Sequence, residues 1–154
     1  VIGIGFSRPK KFKLFSFLTR LWQGWTPYSH TYIRFYMKDI SLVFEASYGE
    51  VHLITHQNFK DQNVIIREQW IECDDREFDS FISYALSNLQ KPYSIRNILG
   101  IVMHRLFGVE WFIDKGKAFI CSELIARAAN MQFNKPIDFV EPTDIWEKLY
   151  GKDA

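Results

Sequence analysis

The stretch Ser29-His30-Thr31-Tyr32-Ile33-Arg34-Phe35-Tyr36-Met37-Lys38-Asp39-Ile40-Ser41-Leu42-Val43-Phe44-Glu45-Ala46-Ser47-Tyr48 decides the fold. Residues Ser29 to Met37 and Ser41 to Tyr48 both alternate and are rich in aromatic and β-branched side chains. Each reads as a strand, and with Lys38 and Asp39 between them they read as an antiparallel hairpin, although this dipeptide is not a strong turn signal. If Lys38 and Asp39 form the loop, Met37 pairs with Ile40, His30 lies opposite Ser47, and Tyr32 lies opposite Glu45. His30 and Glu45 then share one face of the sheet, diagonal to one another. A two-residue shift would set them directly opposite, and a one-residue slip would send them to different faces. Two- and four-residue loops therefore permit their meeting, and a three-residue loop forbids it.

Outward from the hairpin, Val1 to Phe6 is apolar with interleaved glycines and reads as a short buried strand, followed by a basic loop from Ser7 to Lys11. Phe12 to Trp25 carries apolar residues at helical spacing, and Gly24 and Pro27 end it. Glu50 to Thr55 and Asn63 to Ile71 are two further strands. Asp74 to Leu89 reads as a helix with Asp74, Asp75 and Glu77 at its start, where the helix dipole favours acids. Lys91-Pro92-Tyr93-Ser94 is a break. Ile95 to Phe107 is helical and closed by Gly108, and an irregular segment runs on to Lys117. Ser122 to Met131 is a helix, and Thr143 to Tyr150 a last short one with Thr143 as N-cap. The strands come mostly first and the helices later, which favours an α+β fold over alternating α/β.

The chain of 154 residues fits one domain, 1–154, without repeats or an interdomain linker. Hydrophobic residues make up 47% and charged ones 24%, a globular rather than a disordered balance. Aromatic residues reach 17%, enough for a core of large rings with room for an apolar cleft or a membrane-facing patch. The net charge of +1 argues against a general nucleic-acid binder. The charge is uneven, however: Arg8, Lys10, Lys11, Lys13, Arg20, Arg34 and Lys38 fall in the first part of the chain, with only Asp39 set against them. The plain reading is a solvated face; the sharper one is a surface for anionic lipid, phosphate or cell-wall polymer. No apolar run approaches the roughly 18–20 residues of a membrane span. Cys73 and Cys121 form neither a disulfide framework nor a metal-type spacing, so no metal or cofactor is expected and a reducing, cytoplasmic setting is favoured. The chain begins at Val1, which leaves room for a removed signal peptide.

Three residues carry the chemistry. Cys121 lies where the run Phe119-Ile120 meets a helix whose Leu124, Ile125, Ala128 and Met131 share one face. A helix start stabilises a thiolate, and a docked helix holds it at a fixed point. Taken alone, Cys121 reads as a small buried hydrophobe, His30 as an ordinary strand histidine, and Glu45 as a residue on the solvent face. Together they supply the thiol, the imidazole and the orienting carboxylate that a cysteine hydrolase needs, if the fold brings them together. His52, His56 and His104 carry no clear partner signal, and His52 and His56 do not lie on one helical face as a metal pair would.

Ser29-His30-Thr31-Tyr32-Ile33, then Phe44-Glu45-Ala46-Ser47, then Cys121-Ser122-Glu123-Leu124-Ile125 resembles the circularly permuted branch of the NlpC-like papain-fold cysteine hydrolases. This is the YiiX-like group, with lecithin retinol acyltransferase as a more distant relative. The helix before His30, the Lys91-Pro92-Tyr93 break and the closing Glu141-Pro142-Thr143-Asp144 also resemble the family pattern, so the likeness extends over most of the chain. Ser94 departs from it, since relatives often carry an acid after the tyrosine, and Ile95 to Lys117 has no counterpart and reads as a substrate-specific insertion.

The resemblance implies a permuted papain-like α+β domain, with a small antiparallel sheet and the cysteine helix packed against it. It implies a thiol hydrolase in which Cys121 attacks an amide or ester carbonyl, His30 moves the proton and Glu45 orients His30. The backbone N–H of Cys121 is the candidate oxyanion donor. Tyr28 and Tyr93 are either packing aromatics or walls of the cleft. The substrate is a peptide, isopeptide or cell-wall peptide, or an acyl lipid; acyl transfer on the same fold and a catalytically silent papain-like binding module are the alternatives. A polar cleft with acceptors for a free amine would favour a peptide, and an apolar tunnel ending at Cys121 an acyl chain.

Overall fold

The hairpin closes in two residues. Met37 pairs with Ile40 and the ladder runs in step to Ile33 opposite Phe44, with Lys38 in the left-handed region at φ 53°. The computed structural model describes residues 1–47, 49–108 and 118–151. In chain order its elements are β1 (Ile2–Pro9), α1 (Leu14–Trp22), β2 (His30–Met37), β3 (Ile40–Ser47), β4 (Glu50–Thr55), α2 (His56–Gln62), β5 (Asn63–Ile71), α3 (Asp75–Asn88), α4 (Ile95–Phe107), α5 (Cys121–Ala128) and α6 (Pro142–Tyr150), with a 3-10 turn at Ile137–Phe139. The five strands form one sheet in the order β4-β3-β2-β1-β5, every neighbour antiparallel. The fold is α+β.

Alternation along the strands divides the sheet into two faces. Ile4, Phe6, Ile33, Phe35, Phe44 and Ala46 join Phe81 of α3, Leu124 and Ile125 of α5 and Ile145 of α6 in the main core. On the other face Tyr32 and Val43 pack beneath Phe59 of α2. Tyr32 explains a glycine: it lies across β1 over Gly5, where a Cβ would overlap its ring, and its hydroxyl donates to Glu68 Oε1 on β5 at 2.7 Å. Register brings the three together, because Gly5 pairs with Tyr32 on one side and with Glu68 on the other.

Four expectations need correction. The basic segment after Phe6 is not a loop: β1 continues through Pro9, with Arg8 opposite Val64 and Pro9 opposite Asn63, after an irregularity between Phe6 and Ser7. Its partner, β5, is more than fifty residues away, beyond any local signal. Helix α1 is shorter than Phe12 to Trp25, because Gly24 at φ 81° and Trp25 at φ 63° turn the chain away. The N-cap of α6 is Glu141, not Thr143: Pro142 takes the first helical position, where its missing N–H costs nothing, and Asp144 accepts the Glu141 N–H at 2.6 Å. Between β4 and β5 lies a further helix, α2, whose N-cap Thr55 accepts from the Asn58 N–H. The irregular segment expected after Gly108 falls, from 109 to 117, outside the described residues.

The helix that begins with Cys121 is buried on more than the one face its spacing indicates. Ser122 and Glu123 are also fully buried, the first donating to Val140 O at 2.5 Å and the second accepting from Asn97 of α4 at 3.1 Å and from Arg127 at 3.1 Å. Helix α5 is thus clamped between the sheet and the segments around it, which fixes the position of its first residue.

Candidate active site

His30 opens β2, Glu45 lies near the end of β3, and Cys121 is the first residue of α5. The structure brings all three together. His30 Nε2 lies 2.5 Å from Glu45 Oε2. The imidazole is also hydrogen-bonded to the Cys121 thiol. With Nε2 engaged by the carboxylate, Nδ1 is the nitrogen left for sulfur. The backbone N–H groups of Thr31 and Ser122 also favour the ionised form of the Cys121 sulfur.

The diagonal placement follows from the two-residue hairpin, since continuing the observed ladder past Ile33 and Phe44 sets Tyr32 opposite Glu45 and His30 opposite Ser47. Glu45 does not face solvent: it is 1% exposed. A buried carboxylate needs partners for both oxygens, and it has them. Its second oxygen, Oε1, lies 3.0 Å from His52 Nε2. His52 is the residue that sequence reasoning passed over. The signal was available in the second hairpin, where Ser47 opposite Glu50 sets Glu45 opposite His52.

The electrostatics follow from these contacts. Burial pushes the Cys121 thiol up, but the hydrogen bond and charge of His30, with the two backbone N–H groups, outweigh it and hold the thiol below its ordinary range. The dipole of α5 acts in the same direction at its first residue. Burial would strip His30 of its proton; the Cys121 contact and then Glu45 outweigh it and raise the imidazole to about 10. Burial likewise opposes a charged Glu45, yet His30 first and His52 second bring it down to about 2. The stable arrangement is thiolate, imidazolium, carboxylate. The Cys121 N–H is at the first position of the helix, where no intrahelical acceptor exists, and is available to an incoming oxygen.

Two cavities meet at this trio. The larger, of about 450 Å³, has Cys121 in its wall and is lined by Leu18, Leu21 and Trp22 of α1, Ile98 and Ile101 of α4, and Ile120. The smaller, of about 160 Å³, has His30 and Glu45 in its wall, together with Lys13, Ser16 and Asn63. Thr19, Ser29 and Tyr93 line both. The space on the sulfur side is strongly apolar; the one on the imidazole side is mixed, with Pro9 and Ala46 beside the polar groups. Helix α1 is held over the larger cavity by Trp22, whose indole N–H donates to Glu141 Oε1 at 3.0 Å, and by the Ser16–Ser29 hydroxyl pair at 2.5 Å.

The two tyrosines have different places. Tyr93 is a cavity wall beside Cys121, and burial first and the sulfur's charge second push its hydroxyl pKa far up. Tyr28 is not a wall: it is buried in the core, stacked on Trp146 with centroids 4.8 Å apart and packed on Phe6. Cys73 is half-buried at the edge of the core. Among the described residues no set of three or more His, Cys, Asp or Glu side chains is placed to hold a metal ion. Neither a protein-family profile nor a curated protein matches the chain.

Proposed function

We propose that this protein is a cysteine hydrolase with a permuted papain-like arrangement, the histidine strand preceding the cysteine helix, and that its substrate is an ester or amide of an apolar acyl group. The observation that carries the reading is the hydrogen-bonded line from Cys121 through His30 to the buried Glu45. A structural cysteine has no use for an imidazole held in a fixed orientation by a buried carboxylate.

In the proposed reaction the Cys121 thiolate attacks the acyl carbonyl. The carbonyl oxygen takes up the charge beside the Cys121 N–H. His30, protonated at the start, donates its Nδ1 proton to the leaving alcohol or amine as the bond to carbon breaks, leaving a thioester on Cys121. The neutral imidazole then takes a proton from water as the water attacks the thioester. Collapse of this second adduct expels the thiolate, releases the carboxylic acid and restores the imidazolium. Glu45 stays ionised throughout and holds the ring. Acyl transfer differs only in the second acceptor.

The contrast between the cavities supports the acyl reading over a peptide one. The sulfur side, where the acyl part must lie, is apolar and falls in the size range of roughly 300–1,000 Å³ that holds small-molecule ligands. The imidazole side, where the leaving group departs and water enters, is mixed and carries Lys13, Ser16 and Asn63 beside His30 and Glu45. A catalytically silent module would not need the trio aligned. The test compares wild type with Cys121→Ala and with Ile101→Trp on p-nitrophenyl esters of short and long acyl chains. Cys121→Ala should abolish turnover of both, and Ile101→Trp, which fills the cavity, should lose the long-chain ester while keeping the short one. Turnover that survives Cys121→Ala, or faster cleavage of peptide amides than of long-chain esters, would overturn it.

A further inference from the structure

Helix α1 presents an outer surface that the core does not use. Phe12 is 77% exposed, Leu14 64% and Trp25 59%, and Leu18 and Leu21 are exposed beside them. The rings form a connected row: Phe12 and Phe17 have centroids 5.9 Å apart, Phe17 and Trp25 5.5 Å. Trp25 holds its place in the left-handed region at φ 63°, a conformation that favours glycine over a large side chain. So large an exposed apolar row on one short helix and its flanking turns is a marker of an interaction surface.

Charge decides what covers it. Arg8, Lys10, Lys11, Lys13 and Arg20 lie on or beside this helix, and no Asp or Glu occurs from Val1 through Lys38. Lys10, Lys11 and Lys13 are exposed. Aromatic and leucine side chains on one face with lysine and arginine at the margins is the composition of a helix that lies in the interface of an anionic bilayer. A protein partner would have to bring a matching acidic rim, whereas an anionic bilayer presents negative charge over its whole surface; a second copy of this chain, with Asp74, Asp75 and Glu77 exposed at the start of α3, is the competing occupant that the test separates. No helix among the described residues is long and apolar enough to cross a membrane.

The position of the patch gives it a use. Leu18 and Leu21 are exposed on the outside and also line the apolar cavity that has Cys121 in its wall. We propose that α1 and the turns at its two ends dock on the surface of an anionic lipid bilayer, with Phe12, Leu14 and Trp25 in the headgroup–acyl boundary and the lysines against the lipid charges. The mouth of the cavity then faces the lipid. Docking stands on the surface alone; its service to catalysis rests on the hydrolase reading above.

The test is co-sedimentation of the full chain with vesicles of phosphatidylcholine alone and of phosphatidylcholine mixed with phosphatidylglycerol. Wild type should bind the mixed vesicles, bind the neutral ones far more weakly, and lose affinity as salt is raised. Phe12→Ser/Trp25→Ser and Lys10→Glu/Lys11→Glu should each lose at least about tenfold in affinity. Both double variants should still cleave a soluble short-chain p-nitrophenyl ester at the wild-type rate, which reports that they fold. No binding to mixed vesicles, equal binding to both kinds, or binding unaffected by the two double variants would overturn the proposal. So would a dimer in solution that Phe12→Ser/Trp25→Ser dissociates, because the face would then belong to a second copy. Vesicle binding that behaves as described in a protein inactive on every ester would leave the docking in place and remove the hydrolase reading.

Discussion

Glu45 and His52 are cross-strand partners, and His52 Nε2 lies 3.0 Å from the Glu45 oxygen that does not hold His30. Glu45 is therefore gripped from both sides, by His30 on Oε2 and His52 on Oε1. A carboxylate with one free oxygen can swing about its last torsion; one with both oxygens engaged cannot. In the proposed mechanism His52 positions the imidazole through Glu45.

Replacing His52 with Ala removes a hydrogen bond to a charged acceptor, worth about 1.5–3 kcal/mol at such a site. The expected result is a fall in kcat of about tenfold or more, with KM little changed and the alkaline limb of the pH profile moved to lower pH as Glu45 holds His30 less firmly. His52→Gln, which keeps a donor on the same strand, should recover part of the loss. An unchanged pH profile in His52→Ala would assign His52 to packing alone.

The thiolate should be present well below the pH at which an ordinary thiol ionises, because the imidazolium beside Cys121 favours it. Alkylation of Cys121 by iodoacetamide, followed by peptide mass spectrometry with Cys73 as internal control, should therefore be fast at neutral pH. In His30→Ala the burial of the thiol loses its largest opposing contribution, and the inflection for Cys121 should move to higher pH. Turnover should fall as pH approaches about 10, where His30 gives up the proton needed by the leaving group.

Stability should carry the signature of Glu45. Its folded pKa is about 2 against an ordinary 4.5, so the stabilisation it contributes is present above pH 4.5 and is lost as pH falls through about 2. Denaturant melts of wild type and Glu45→Gln should differ most near pH 6, and the gap should narrow as pH falls toward 2. A gap independent of pH would mean that Glu45 is not ionised in the folded protein.

Gly5→Ala tests the sheet. A methyl group there would overlap the Tyr32 ring, which is fully buried and anchored to Glu68, so neither side can yield easily. Overpacking of this kind costs typically about 1–3 kcal/mol. The expected result is a lowered denaturation midpoint with unchanged slope; Gly24→Ala, where no atom lies within 4 Å but φ is 81°, should cost less.

The parts of this fold legible in the sequence are those set by local pattern. Alternation marked the strands Glu50–Thr55 and Asn63–Ile71, the Asp74 and Glu77 pair marked the start of α3, where each now bonds the other's backbone N–H, and Gly108 marked the end of α4 in the left-handed conformation. His30, Glu45 and Cys121 could be named because each stands out in an apolar run. What could not be read depends on distant partners. Pro9 is in a strand only because Asn63 is beside it. Helix α2 has one buried side chain, Phe59, and so shows no apolar period. Tyr28 and Tyr93 look alike in sequence, and only the packing of Trp146 on one and of the cavity beside the other separates them.

The most direct test of the account is to look for the thioester itself. Wild-type protein is mixed with a p-nitrophenyl ester of a long-chain fatty acid, quenched in acid within the first turnovers, and the Cys121 peptide is weighed by mass spectrometry. The account predicts an acyl adduct on Cys121 that hydroxylamine removes, absent from Cys121→Ala and accumulating far more slowly in His30→Ala. Turnover without any adduct on Cys121, or an adduct that forms as fast on Cys73, would contradict it.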